Sequence, residues 1–252
     1  MIVFNFFYCF IVFLCIGSFL NVVIYRYPRD LNVICPRSSC SYCFQKLRWH
    51  HNIPLVSYLA LKGKCGFCHH KISKRYFLVE LITGIIGIYL FWHYGNNINL
   101  HFIAASIFSV ILIILIFIDF EHQLLPDIFT LGLLWLGLFF NLSTLFASPS
   151  DAIIGAASGY LSLWSVAMIY KHITKNEGMG HGDFKLLAAL GAWLGWQSII
   201  NIILIASLMG LAVGGSLIIK QKAHSRTPLA FGPYLAIAGW IMLIWPHPIN
   251  LF

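Results

Sequence analysis

Charge is scarce in this chain, and acidic charge scarcer still. Of 252 residues only 10% are charged, and eight are Asp or Glu. A soluble domain carries about 25% charged residues, so a single soluble domain is excluded. Long polar tracts are missing, which excludes a disordered or collagen-like chain. Strict apolar–polar alternation is missing too, which excludes an outer-membrane barrel. Residues 1–25 hold no Lys or Arg ahead of their apolar stretch. They lack the basic start of a cleavable signal peptide and read as a retained first span. No G-x-G-x-x-G following a strand occurs in the polar loop, so spacing alone defines no cofactor pocket there.

Apolar residues fill the space that charge leaves. They make up 60% of the chain, and mean hydropathy is +0.83. They come in runs near 20 residues, the length that crosses about 30 Å of hydrocarbon. Eight runs fall near 2–25, 76–94, 101–118, 128–146, 151–170, 184–196, 198–219 and 229–245. The expected fold class is an all-α polytopic membrane protein with about eight transmembrane helices and a small zinc-binding cytoplasmic loop domain.

The sixteen Lys and Arg cluster in three places: ten within 26–75, three at Lys171, Lys175 and Lys185, and three at Lys220, Lys222 and Arg226. The first stretch holds one acid, Asp30, for a local net charge of +9. Short basic loops stay cytoplasmic, where anionic lipid attracts them. All three clusters are therefore expected inside, and both termini outside. Parity then requires an even number of crossings between Lys185 and Lys220. That means two short crossings broken near Gly195-Trp196-Gln197, or a re-entrant pair, but not one long helix. The basicity belongs to one loop and suits membrane lipid; nucleic acid is not an expected partner.

Four of the seven cysteines form Cys40-x2-Cys43, then 21 residues, then Cys65-x2-Cys68. Two such knuckles supply four thiolates in a tetrahedron around Zn2+. Two disulfides, four free thiols, an iron site or a redox pair are the alternatives. A reducing cytoplasmic loop disfavours disulfides, and neighbouring Lys and Arg favour thiolates. Cys35, His69 and His70 read as solvated loop residues. With little core of its own, such a loop draws much of its folding energy from the metal.

Asp119 ends an uncharged run, and Asp183 lies in Gly178-Met-Gly-His-Gly-Asp183-Phe-Lys185. Both fall at the same membrane face. An ionisable group at the edge of hydrocarbon is a functional candidate. Two carboxyls held close share a proton, which readies one as base and one as acid against a peptide bond. Asp183 could equally cap a helix start. Asp127 reads as a helix-start carboxylate after Pro126, and Glu121 and His122 as solvated turn residues.

Six ordered motifs carry a resemblance across nearly the whole chain. They are Gly17-Ser-Phe-Leu-Asn21-Val-Val-Ile-Tyr-Arg26; the two cysteine pairs around Asn52-Ile-Pro54-Leu-Val-Ser57; Ser73-Lys-Arg75-Tyr-Phe-Leu-Val-Glu80; Ile118-Asp119-Phe-Glu-His-Gln-Leu-Leu-Pro126-Asp127; Gly178 to Lys185; and Phe231-Gly-Pro233-Tyr. The chain resembles the type IV prepilin peptidase family, bifunctional leader peptidases and N-methyltransferases of bacterial inner membranes. The resemblance implies catalytic aspartates at Asp119 and Asp183, the metal tetrad at Cys40, Cys43, Cys65 and Cys68, and a methyl-transfer role for Gly63. Gly63 reads equally as a turn glycine. It implies cleavage of the basic leader from prepilins and type II secretion pseudopilins after Gly, usually before Phe, at the cytoplasmic face. N-methylation of the new terminus with S-adenosylmethionine follows. The implied organisation is a first span at 1–25, a methyltransferase-associated zinc loop at 26–75 and an aspartic peptidase core at 76–252. A loop of net charge +9 would repel a basic leader, so Asp30, Glu80, Glu121, Asp127 or Glu177 is expected to meet it. Asn21 and Glu80 also read as structural hydrogen-bonding groups.

Two other classes share parts of this pattern. A presenilin-like intramembrane aspartyl protease would share Gly-x-Gly-Asp but has no need of a tetrathiolate loop. A zinc-responsive transporter or sensor would use the cysteines and treat the acids as an ion path.

Overall fold

The computed structural model describes residues 2–35, 37–40, 42–175, 178–219 and 230–245. Lys220, Lys222, Arg226, Glu177 and the carboxyl terminus lie outside the described residues. Helices dominate: α1 (Ile2–Arg26), the short α2 (Val56–Ala60), α3 (Lys74–His93), α4 (Leu100–His122), α5 (Asp127–Asn141), α6 (Pro149–Thr174), α7 (His181–Leu194), α8 (Gln197–Ile219) and α9 (Gly232–Ile244). Apart from α2, each takes up one of the eight apolar runs. Two isolated antiparallel bridges are the only extended pairing among the described residues.

Five helices, α1, α3, α4, α6 and α8, are long and apolar enough to cross a membrane. The fold is thus that of an all-helical, multi-pass membrane protein. The eightfold crossing is a narrower matter. α5, α7 and α9 have 15, 14 and 13 residues. At ~1.5 Å per residue they reach about 20–23 Å, short of a ~30 Å hydrocarbon layer.

Contacts divide the chain into two compact units that meet within α4, between Ile114 and Leu115. In the first, α1 packs along α3 because α3 turns glycines toward aromatic knobs. A Cβ at Gly87 would strike the Phe13 ring, and one at Gly84 would lie 2.6 Å from Phe10 Cε2. Asn21, buried in this seam, donates from Nδ2 to the Tyr76 carbonyl at 3.0 Å. Glu80 accepts the Leu55 N–H at 2.8 Å. Both are backbone anchors, as their structural reading expects.

In the second unit α7 is the central helix. From Asp183 to Trp193 only Lys185 is not buried. α6 approaches it backbone to backbone: a Cβ at Gly155 would strike the Gly191 carbonyl, and one at Gly159 would lie 2.6 Å from the Leu187 carbonyl. Small residues four apart permit that approach between apolar helices. On its α5 side, Trp193 Nε1 donates to the Leu133 carbonyl at 2.7 Å. Asn141 at the end of α5 donates to the Ala192 and Trp193 carbonyls at 2.8 and 2.9 Å, and accepts the Phe146 and Ala147 N–H groups. That bonding ends α5 at Asn141, short of the apolar run's limit at 146. α6 begins two residues early because Ser148 caps it, accepting the Asp151 N–H, with Pro149 in the first turn.

The expected break after α7 is present. Gly195, with φ 78°, returns its N–H to the Gly191 carbonyl, and α8 starts at Gln197.

Candidate functional site

The cysteine site is built twice from one local pattern. In the first knuckle the Tyr42 N–H points at Cys40 Sγ, the Phe44 N–H bonds the Cys40 carbonyl, and the Cys40 N–H bonds the Gln45 carbonyl. In the second the Phe67 N–H points at Cys65 Sγ, the His69 N–H bonds the Cys65 carbonyl, and the Cys65 N–H bonds the His70 carbonyl. Each knuckle is closed by one antiparallel bridge, Ser39 to Lys46 and Lys64 to Lys71. Phe44 and His69 hold the same corner at φ 56°.

The two knuckles bring all four sulfurs within 4.8 Å of one another, with Cys40 and Cys68 at 3.9 Å. None of the seven cysteines is disulfide-bonded. The Cys65 thiol is lowered to about 7, chiefly by the Cys68 backbone amide and further by that of Phe67, against the opposing effect of burial. Such a set can hold one metal ion. Cys35, His69 and His70 are exposed, as their solvated reading expects, and the His70 ring stacks on Tyr42 at 4.1 Å. Gly63 turns the chain into the second knuckle at φ 67°, where a Cβ would lie 3.0 Å from the Tyr58 hydroxyl. A positive φ is one that glycine adopts without strain, and the Tyr58 ring lies beside it.

The acidic site lies wholly in the second unit. Asp119 sits in the last turns of α4, and Asp183 in the first turn of α7; both are buried, at 5% and 8% exposure. Their carboxyl groups interact electrostatically. Gly180 is the N-cap of α7 and carries no side-chain cap, so Asp183 is not the cap that its position allowed. Asp119 Oδ2 is buried with no hydrogen-bond partner and lies close to the start of α9, where a Cβ at Gly232 would stand 2.5 Å from it. Two buried carboxyls that interact electrostatically are chemically suited to sharing a proton.

Asp127 does more than begin α5. It accepts Lys185 Nζ at 2.7 Å, tying the start of α5 to the first turns of α7. Glu80 is buried and engaged by Leu55, so it is withdrawn from the acids expected to meet a basic leader; Asp30 and Glu121 are exposed. Sequence reasoning missed Gly232. Its motif, Phe231-Gly-Pro233-Tyr, was visible, but nothing in it points to a carboxylate more than a hundred residues earlier.

A profile described as the bacterial peptidase A24 N-terminal domain matches residues 11–94, and one described as the type IV leader peptidase family matches 106–215. The chain is 47% identical to a prepilin leader peptidase/N-methyltransferase of Stutzerimonas stutzeri and to another of Pseudomonas aeruginosa, in each case over 94% of this chain and 89% of the relative. It is 45% identical to the one of Aeromonas hydrophila over the same shares. No solved structure matches.

Proposed function

The chain belongs to the type IV leader peptidase family, and from that premise we propose that it removes the leader peptide from prepilins and pseudopilins and then N-methylates the new terminus. Its relatives bear both activities in their names. The observation that carries the peptidase reading is the burial of Asp119 and Asp183, electrostatically joined though 64 residues apart in sequence. As a proton-sharing pair, they take a proton from water on one carboxylate and give one to the scissile carbonyl from the other. Because Asp119 ends an apolar helix, the cut falls near a membrane face, where a prepilin's polar leader meets its apolar helix. The positive charges of 26–75 and 171–185 support a cytoplasmic face of a bacterial inner membrane.

Zinc suits the tetrad. Four sulfurs at ~2.3 Å around one ion stand about 3.8 Å apart, matching the 3.9 Å between Cys40 and Cys68. We assign 26–75 to methyl transfer from S-adenosylmethionine and 76–252 to cleavage. A presenilin-like protease or a zinc-responsive transporter leaves one of the two profile matches unexplained.

Mass spectrometry of a model prepilin incubated with purified protein tests the reading. Leader loss is expected without S-adenosylmethionine, with a further CH2 when it is added. Asp119→Asn and Asp183→Asn should each abolish leader loss while methylation of a precleaved pilin survives. An uncut prepilin, or cleavage by either variant, overturns the proposal.

A further inference from the structure

The loop that carries the cysteine tetrad keeps its large apolar side chains in the open. Trp49, in the short helical turn Trp49–Asn52, is 81% exposed, and Val56 and Leu59 of α2 are 59% and 63% exposed. Val56 and Leu59 stand three residues apart and so share one face of α2, and the turn packs against that helix. Water gains nothing from such a face. An exposed apolar patch marks contact with another protein or with a membrane.

Four residues past the end of α2, two like charges are held together. Lys64 and Lys71 form the bridge that closes the second knuckle. Residues directly opposite in an antiparallel bridge have Cβ atoms about 5 Å apart on one face, where like charges repel. Both side chains are exposed, and among the described residues no carboxylate pairs with either. Asp30 is the only acid between 26 and 75. A phosphate between the two ammonium groups would turn their repulsion into charge-assisted hydrogen bonds.

An apolar face followed by such a cation pair fits an anionic bilayer surface. Trp and aliphatic side chains settle at headgroup level, and each Lys is drawn to anionic lipid. A basic leader peptide is repelled by the same charges. Resting only on the cytoplasmic placement of this loop, we propose that 49–71 docks on the inner leaflet: Trp49, Val56 and Leu59 enter the headgroup layer, and Lys64 and Lys71 share the phosphate of one anionic phospholipid. The knuckle is then held along the membrane rather than out in water.

Full-length protein in vesicles tests this, using lipids with a photoactivatable diazirine high on the acyl chain and peptide mass spectrometry to locate the label. Both leaflets of the vesicles have one composition, so the result does not depend on orientation. A phosphatidylglycerol probe in phosphatidylglycerol vesicles should label 49–61 at least about fivefold more than a phosphatidylcholine probe in phosphatidylcholine vesicles, the partition effect of even one Lys at an anionic surface. Label in α3 should be equal in both. Lys64→Gln and Lys71→Gln should each lower the 49–61 label about fivefold on the same scale, while Lys64→Arg and Lys71→Arg keep it. Trp49→Ser combined with Leu59→Ser should remove it. Resistance of 37–75 to protease in detergent reports that each variant's loop is folded. Label confined to the helices, equal label from the two lipids, or wild-type label in the Gln or Ser variants overturns the proposal. A reporter after Lys74 found outside would overturn the inner-leaflet placement and the cytoplasmic reading together, whatever the vesicles show.

Discussion

A carboxyl at the edge of hydrocarbon is costly to retain, and this chain retains two of them, both buried and electrostatically joined. Acting as one unit, they should be non-additive: Asp119→Asn and Asp183→Asn each abolish cleavage, and the double variant is no worse. Single-turnover cleavage of a model prepilin checks this, and residual activity lost only in the double variant would speak for independent roles. Asp127→Asn should cost far less. Its partner Lys185 bonds it across a partly exposed gap, with side-chain exposures of 28% and 61%, and such pairs contribute roughly 0–1 kcal/mol. If Asp127→Asn stops cleavage while Asp119→Asn does not, the catalytic pair includes the wrong end of the 119–127 segment. At the cysteines, the wild type is expected to carry about one zinc per chain by four-ligand coordination, and Cys40→Ser and Cys68→Ser should each lose it, read by elemental analysis of the purified protein. A metal-free tetrad that stays folded would refute the site.

The helices that position the acids depend on small and amide side chains rather than on apolar bulk. α7 is buried almost throughout, so its neighbours must reach its backbone. α6 does so through Gly155 and Gly159, and α5 through Asn141. Gly155→Leu should prise α6 from α7 and remove cleavage through misplacement of Asp183. Asn141→Leu strands two backbone N–H groups and two carbonyls at once, each costing about 1–3 kcal/mol if left unbonded. A fall of about 5 °C or more in the melting midpoint is expected, at ~2–4 °C per kcal/mol in a chain of this size. An unchanged midpoint would mean that water or a neighbouring group replaces those bonds.

Across the whole molecule the loop and the helices draw on different sources of stability. Between 26 and 75, Cys65 is the only buried hydrophobic side chain among the described residues, so a metal held by the tetrad would replace the core this segment lacks. Stripping it with a chelator should open 37–75 to proteolysis while the far-ultraviolet helical signal of the spans persists; a protease-resistant loop after complete metal loss would contradict this. Topology is the other whole-molecule quantity. Reporter fusions after Lys74, Lys175 and Lys222 should be cytoplasmic, and those near Asn97, Ser148 and Phe252 external. A cytoplasmic carboxyl terminus would remove one crossing, and the short α5, α7 and α9 are where it would be lost.

Periodicity, charge and spacing are local properties of the chain, and what depends on them was legible without coordinates. The eight apolar runs became eight helices because backbone groups in lipid must bond within their own segment. The break at Gly195 was demanded by the parity of the positive charges. The cysteine tetrad could be read because each knuckle closes within a few residues, so that sequence spacing is spatial spacing. The lengths of α5, α7 and α9 could not be read from hydropathy, since the bonds of Asn141 and the cap at Ser148 set helix ends and carry no apolar signal. Nor could Glu80 be known as a buried anchor, or Asp127 as the partner of Lys185, because those partners come from other helices. The approach of Gly232 to Asp119 was the least visible. It arises where Gly182 of α7 and Gly232 of α9 both pack on Leu125, and only the packing of helices distant in sequence could set one glycine beside one carboxylate.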